Sequence, residues 1–171
     1  MRFKRFAVLA VASVLMTVAG KSDWYGEVGG APRFYPQMPR DMIAAHSMVR
    51  ARLGIAPLVW SNQLAAYAQQ WAETLVRTGD FHPHRNPTFG ENLYEITGAE
   101  ANPYDVVNAW ASESTSYNSR RNSCAARCGH YTQVVWRNTT AVGCGVARNG
   151  ARQVWVCSYD PPGNIIGEQP Y

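Results

Sequence analysis

The chain has 171 residues with 16 basic and 12 acidic side chains, a formal net charge of +4, and its length allows one ordinary domain with a sizeable core. Three of the basic residues, Arg2, Lys4 and Arg5, precede an apolar run over residues 6–19. That run is too short to cross a bilayer comfortably and is followed by small residues. We therefore expect residues 1–20 to be a cleaved secretory signal peptide, the alternative being an uncleaved anchor or a buried helix.

Removal of the signal peptide would leave little net charge. Three of the 16 basic residues would be lost, so 13 would remain against 12 acidic residues, a net charge of +1. A nucleic-acid-binding protein needs a retained cationic surface that displaces counterions from phosphates. The remaining chain has only the local group Arg120, Arg121 and Arg127. We predict no nucleic-acid partner and no membrane span in the mature chain.

A leader precedes the first predicted helix. Residues 21–39 mix glycine, proline and aromatic residues without a period, which indicates an extended segment. From about Arg40, apolar residues recur every three or four positions, which predicts a helix that ends at Gly54. His46 falls on the apolar side of this helix. We assign the folded domain to residues 40–171.

Two further helices are predicted from their capping residues. The second begins with Ser61 or Asn62 as its cap and ends at Gly79. The third has Asn102 as its cap and Pro103 in the first helical position, where the missing N–H costs nothing.

Two carboxylates occur near the predicted element boundaries. Residues 81–89 are a predicted loop, and Glu91 lies in the short strand predicted at residues 90–94. Glu113 lies three residues after Trp110, on the inward side of the third helix. Because an ionised carboxylate costs several kcal/mol to bury unpaired, Glu113 must meet a partner, and the chain supplies four histidines.

A histidine also occurs next to a predicted strand near the carboxyl end. Residues 129–136 combine β-branched and aromatic side chains, which predicts a strand with His130 at its end. Residues 114–127 before it are rich in serine, asparagine and arginine. They indicate a surface loop closed by its own disulfide.

The four cysteines suggest two disulfides in an exported chain, and four cysteines allow three pairings. We favour Cys124 with Cys128 and Cys144 with Cys157.

The register of a predicted hairpin decides the second pair. A turn centred on residues 150–151 sets Cys144 opposite Cys157, within disulfide reach. A turn centred on residues 149–150, the stronger local signal, sets Cys144 opposite Trp155 instead.

Helices before and between strands that end in a hairpin predict an α+β domain. Its titratable candidates are His46, Glu91, Glu113 and His130. If they converge, they suit a divalent metal, with neutral imidazoles as direct ligands and carboxylates that orient them or hold water. For each histidine alone, a satisfied core or surface histidine is the commoner case.

Five motifs occur along the chain in order, namely Ala-His-Ser-Met-Val-Arg at 45–50, Gly-Glu-Asn-Leu at 90–93, Trp-Ala-Ser-Glu at 110–113, Gly-His-Tyr-Thr-Gln-Val-Val-Trp at 129–136 and Val-Trp-Val-Cys-Ser-Tyr-Asp-Pro-Pro-Gly-Asn-Ile at 154–165. Together they resemble the CAP superfamily, which includes cysteine-rich secretory proteins, insect venom antigens and plant pathogenesis-related proteins of class 1. The resemblance covers residues 42–171 and is greatest to the plant-type branch, whose members usually carry six cysteines. Ser47 stands where the usual pattern has asparagine.

The resemblance implies a fold and a site. The CAP fold is a three-layer α-β-α sandwich with a mainly antiparallel central sheet. Its central cavity is lined by two histidines and two acidic residues, which match His46, Glu91, Glu113 and His130. On this basis His46 and His130 are expected to bind a divalent metal, zinc as an optional cofactor, with Glu91 and Glu113 as water-mediated or second-shell ligands.

The resemblance also implies a function. We expect a secreted, extracellular or periplasmic, monomeric and non-enzymatic binding module that takes a sterol or fatty acid, or an extracellular protein partner, in defence or host interaction. The alternative is a metal-dependent or His/Glu-based hydrolase that uses Glu91, Glu113 and His130. The chain has no His-Glu-x-x-His helix and no Gly-x-Ser-x-Gly elbow, which disfavours catalysis.

Two remaining features have simpler interpretations. His82 and His84 match no family motif; their His-x-His spacing could bind a metal ion, but we favour the interpretation that they are exposed loop residues. Residues 161–171 resemble a segment that some plant members release as a signalling peptide, but Ser158 stands where that branch usually has asparagine. We favour an ordered tail that packs on the sheet.

Overall fold

The computed structural model describes residues 35–85 and 87–171. The predicted signal peptide lies outside the described residues, as does the leader up to residue 34. Within the described part, no helix is long and apolar enough to cross a membrane. The elements in chain order are α1 (Met38–Ala51), β1 (Val59–Trp60), α2 (Asn62–Thr78), β2 (Gly90–Thr97), α3 (Pro103–Ser112), a 3-10 turn (Glu113–Ser116), β3 (Tyr117–Asn118), β4 (Ser123–Cys124), α4 (Gly129–Val134), β5 (Ala141–Asn149) and β6 (Arg152–Asp160).

The three predicted helices form, and their local signals act as expected. Helix α1 begins at Met38, slightly before the predicted start. The Ser61 hydroxyl accepts a hydrogen bond from the Leu64 N–H at 3.3 Å, and Gly79 ends α2 with a φ of 79°, which favours glycine. Asn102 caps α3 in a capping box.

A four-stranded sheet forms the centre of the fold. Its strand order is β1-β5-β6-β2, with β1 parallel to β5 and the other pairs antiparallel. Helix α2 packs on one face, and α1, α3 and α4 lie on the other. The predicted α+β class, a three-layer sandwich with a mainly antiparallel sheet, is confirmed.

Strand β6 contributes to the cores on both faces of the sheet. Trp155, Cys157 and Tyr159 belong to the core with α1, α3 and α4, whereas Val154 and Val156 pack against α2. All five are fully buried. Because side chains alternate along a strand, one buried strand serves both layers.

Glycines allow α2 to lie directly on β5. A Cβ at Gly143 would overlap the backbone of Ala65, and one at Gly145 would overlap that of Gln69. The Gln69 side chain accepts a hydrogen bond from the Val146 N–H at 2.9 Å and donates to its carbonyl at 3.0 Å. These bonds satisfy the backbone of β5 beyond the short β1.

Both favoured disulfides are present. Cys144 lies opposite Cys157 in the β5–β6 ladder because the turn is centred on residues 150–151, and their Cα atoms are 4.0 Å apart. Cys124 and Cys128 are also bonded, with Cα atoms 5.9 Å apart.

Helix α4 occupies most of the stretch for which we predicted a strand, residues 129–136, so that prediction is wrong. The local β propensity is outweighed by tertiary contacts at both helix ends. At the amino end, the Glu113 carboxylate accepts hydrogen bonds from the backbone N–H groups of His130 at 2.9 Å and Tyr131 at 3.3 Å. A carboxylate in this position also complements the helix dipole.

At the other end of α4, the buried Arg50 guanidinium caps the helix. It donates hydrogen bonds to the carbonyls of Val134 at 3.0 Å and Trp136 at 2.9 Å, and also to those of Ala56 and Thr139. Carbonyls at a helix carboxyl end carry partial negative charge, which favours a cation there.

The carboxyl-terminal tail is ordered and packs mainly on α4 and its flanks. The Tyr171 hydroxyl lies 3.0 Å from that of Tyr131, and the Arg137 N–H donates to the Pro170 carbonyl at 2.7 Å. The tail is ordered, as we favoured, but these contacts are with α4 and the segment after it and not with the sheet. Release of the tail stays an untested alternative.

Candidate functional site

The partner of Glu113 is His130. Glu113 directly follows α3, and His130 lies in the first turn of α4. One oxygen of the carboxylate accepts the His130 backbone N–H at 2.9 Å, and the other lies 2.8 Å from Nδ1 of the same residue. His130 is therefore the partner that the burial of Glu113 requires, and it contacts both carboxylate oxygens.

This contact fixes the tautomer of the neutral imidazole ring. An ionised carboxylate only accepts hydrogen bonds, so Nδ1 of His130 must be the donor. In the neutral ring, Nε2 then keeps its lone pair. A carboxylate on Nδ1 with a free lone pair on Nε2 is the arrangement found in histidines that bind metals or act as bases.

Glu91 makes the same double contact with His84. The carboxylate accepts the His84 backbone N–H at 2.9 Å and lies 2.7 Å from its Nδ1. The imidazole stacks on the rings of Trp71 and Tyr67, with centroids 3.9 and 4.9 Å away. The interpretation of His84 as an ordinary exposed loop residue is therefore wrong.

Sequence reasoning set His84 aside because it matched no motif that we assigned, although its His-x-His spacing with His82 is compatible with metal binding. A usable signal was present in Tyr67 and Trp71, which are four residues apart on α2 and present two aromatic rings on one side of the helix. A loop histidine that follows such a pair is a candidate for stacking.

The structure places His46 in a closed environment, and it does not bring the four predicted residues into one group. His46 is fully buried, with Nδ1 at 2.8 Å from the Met42 carbonyl and Nε2 at 2.9 Å from the Tyr159 hydroxyl. Burial lowers the pKa of His46 to about 4, which keeps the ring neutral. Among the residues that the structure describes, no three or more His, Cys, Asp or Glu side chains are grouped to hold a metal ion.

His46 is nevertheless connected to His130. A carbonyl only accepts, so Nδ1 of His46 donates to Met42, and Nε2 must accept the proton of the Tyr159 hydroxyl. The Asn92 amide donates both to that hydroxyl at 3.3 Å and to the His130 carbonyl at 3.0 Å. This chain of hydrogen bonds positions the backbone of His130.

The two Glu–His pairs lie near one end of β2. Glu91 directly precedes Asn92, whose amide reaches the His130 carbonyl. Trp110 belongs to α3, and its indole donates a hydrogen bond to the Leu93 carbonyl of this strand at 3.0 Å. The Trp110 ring stacks beside the His130 ring, with centroids 6.3 Å apart.

A cavity of about 300 Å³ lies beside His130 at the outer edge of β2. Both Glu113 and His130 line it, and their side chains are 15% and 27% exposed. Other lining residues include Phe81, Leu93, Trp110, Glu95 and Arg127.

The family model described as the cysteine-rich secretory protein family, CAP, matches residues 43–159. This span includes most of α1, all of the sheet except the last residue of β6, and both Glu–His pairs. The chain belongs to the CAP family. It is also similar to pathogenesis-related protein 1A of Nicotiana tabacum, at 44% identity over 135 residues that cover 77% of this chain and 80% of that protein. These findings support a CAP-domain protein of the defence type.

Solved structures agree with the CAP assignment. Schistosoma mansoni venom allergen-like protein 4 has a TM-score of 0.62 at 27% identity, over 79% of this chain and 94% of that one. NaASP2, which was crystallised with Zn²⁺, has a TM-score of 0.65 over 84% of this chain and 90% of that one. Its identity is 18%, so this likeness supports the fold alone.

Proposed function

We propose that this CAP protein is a secreted binding module of the defence type that holds a divalent metal ion, zinc in the first instance, at the two Glu–His pairs. His130 and His84 are the proposed ligands through Nε2, and Glu113 and Glu91 orient them. The observation that carries the proposal is the double contact that each carboxylate makes with one histidine. It leaves Nε2 as the ring nitrogen with a lone pair.

The chemical types of the donor atoms suit zinc. Neutral imidazole nitrogens are among the preferred ligands of Zn²⁺, and a carboxylate on the other ring nitrogen raises ligand basicity. Two imidazoles are fewer ligands than a closed structural site has, so water or a bound molecule would complete the coordination. His46 has no part as a ligand in this proposal, because both of its ring nitrogens already have partners.

Secretion forms part of the proposal. Two disulfides are typical of proteins in oxidising compartments, and the family description names secretory proteins. The signal peptide at residues 1–20 and the CAP domain at residues 40–171 are proposed boundaries. Sterol or fatty-acid binding and a protein partner stay predictions from the resemblance.

Zinc titration of the purified protein by calorimetry tests the proposal. We expect saturable binding that weakens at least tenfold in His130→Ala and in His84→Ala. His82→Ala is the matched control, because His82 lies in the same loop but has no carboxylate partner among the described residues. Absence of zinc binding by the parent protein, or unchanged binding by His130→Ala, would contradict the proposal.

Hydrolysis of casein and of a simple ester by the same samples separates the two function classes. We expect no turnover above buffer with or without zinc. Zinc-dependent turnover that disappears in His130→Ala would favour the hydrolase alternative, with Nε2 of His130 or metal-bound water acting as the base.

A further inference from the structure

We infer that the cavity beside His130 binds a compact organic acid, whose carboxylate is held by Arg127 and whose apolar body lies against Phe81 and Trp110. The inference rests on the proposed function in one respect, because a metal ion at His130 would supply a second positive charge to the same carboxylate.

The charges in the cavity wall single out Arg127. Glu113 is engaged with His130 through both oxygens, and Glu95 forms an ion pair with Arg152. Arg127 makes no hydrogen bond or ion pair with any residue of the described ranges, although its side chain lines the cavity. The charge in this wall that lacks a partner is therefore positive.

The backbone on either side of Arg127 is held in place. It directly precedes Cys128, which is disulfide-bonded to Cys124 and is the residue before α4. The disulfide and α4 restrict the backbone near Arg127, three residues before His130. A preorganised backbone lowers the entropy cost of binding, and a guanidinium can hold a carboxylate with two parallel hydrogen bonds.

The remaining wall fits an apolar body. Phe81 is 44% exposed, although it is a large aromatic side chain, and Leu93 and Trp110 also line the cavity. A volume of about 300 Å³ lies at the lower end of the range for small-molecule sites. These features favour an aromatic or branched acid.

The test compares an acid with its neutral analogue. Zinc-loaded protein is titrated with 4-phenylbutyrate and with 4-phenylbutanamide, and binding is followed by calorimetry or by amide chemical shifts. We expect the acid to bind roughly tenfold more tightly than the amide, and Arg127→Gln to remove that preference. Arg120→Gln is the matched control, because Arg120 is an exposed arginine nearby that lines a different surface depression.

The outcomes distinguish this inference from the proposed function. If zinc binds but acid and amide bind equally, or Arg127→Gln retains the preference, the inference is overturned and the metal site stands. If zinc does not bind, the proposed function fails, and the same titration without metal still tests Arg127. A preference that persists without metal and is lost in Arg127→Gln supports the inference alone.

Discussion

His46 and His130 are histidines in two different environments on the same side of the sheet. His46 lies inside the core, and its two ring nitrogens contact Met42 and Tyr159. His130 lies at a cavity, and its side chain is 27% exposed. Its Nδ1 donates a hydrogen bond to the Glu113 carboxylate. The Asn92 amide links the two regions through Tyr159 and the His130 carbonyl.

The difference lies in the use of the second ring nitrogen. A histidine with both nitrogens bonded inside the protein contributes to stability and has no lone pair for a ligand. A histidine held at Nδ1 by a carboxylate keeps Nε2 for chemistry. A histidine buried on the apolar face of a helix is therefore expected to have a structural role. A histidine whose Nδ1 is bonded to a carboxylate is a candidate for ligand binding.

The largest effect that separates the two regions is expected from His46→Ala. The substitution opens a cavity and leaves the buried Tyr159 hydroxyl without its acceptor. We expect unfolding in urea to show a loss of about 3 kcal/mol. Met48→Ala, on the exposed side of the same helix, is the control and should change stability by less than about 0.5 kcal/mol. Equal losses in the two variants would contradict the structural role of His46.

The pH dependence of stability is the second largest effect. Burial lowers the pKa of His46 from an ordinary value of 6.5 to about 4, so the unfolded state binds a proton more readily. The stability from the neutral ring is complete above pH 6.5 and is lost as the pH falls toward 4. Between pH 7 and 5 we expect the parent to lose about 2 kcal/mol more than His46→Gln does. Parallel stability curves for the two proteins would argue against this shift.

An intermediate effect is expected from Glu113→Gln. The amide of glutamine is neutral and presents an N–H group where the carboxylate accepts hydrogen bonds, so both the amino end of α4 and Nδ1 of His130 lose an ideal partner. We expect a stability loss of about 1.5 kcal/mol and zinc binding weakened at least tenfold.

Glu100→Gln is the matched control for Glu113→Gln. Glu100 forms an ion pair with Arg148 at the surface, where such pairs contribute little. We expect a change within about 0.5 kcal/mol and unaltered zinc affinity. If the two glutamate variants behave alike, the Glu113 contact has no special role.

The local part of this comparison was predictable from the sequence. Ser61 and Asn102 cap helices because their side chains act on the next residues along the chain, and the period of α1 correctly placed His46 inside. The energetic need of Glu113 for a partner was also predictable, because burial of a lone carboxylate is costly whatever the fold.

The non-local part was not predictable. Helix α4 forms against its β propensity because Glu113 and Arg50, distant in sequence, bind its two ends. Local propensity carries no information on such contacts. His84 meets Glu91 only because the loop that carries it lies on the aromatic rings of α2. Similarly, the hairpin turn at residues 150–151 overrode the stronger local signal one position earlier.

The smallest effect on stability is expected from His130→Ala, which completes the comparison with His46→Ala. Alanine keeps the backbone N–H, so Glu113 still accepts a hydrogen bond at the amino end of α4. The lost contact is between partly exposed groups, and the space left by the ring opens to the cavity, where water can enter. We expect urea unfolding to show a loss of less than about 1 kcal/mol, in a protein that no longer binds zinc. A loss as large as that of His46→Ala would mean that His130 belongs to the same structural network, and that its free Nε2 is incidental to the fold.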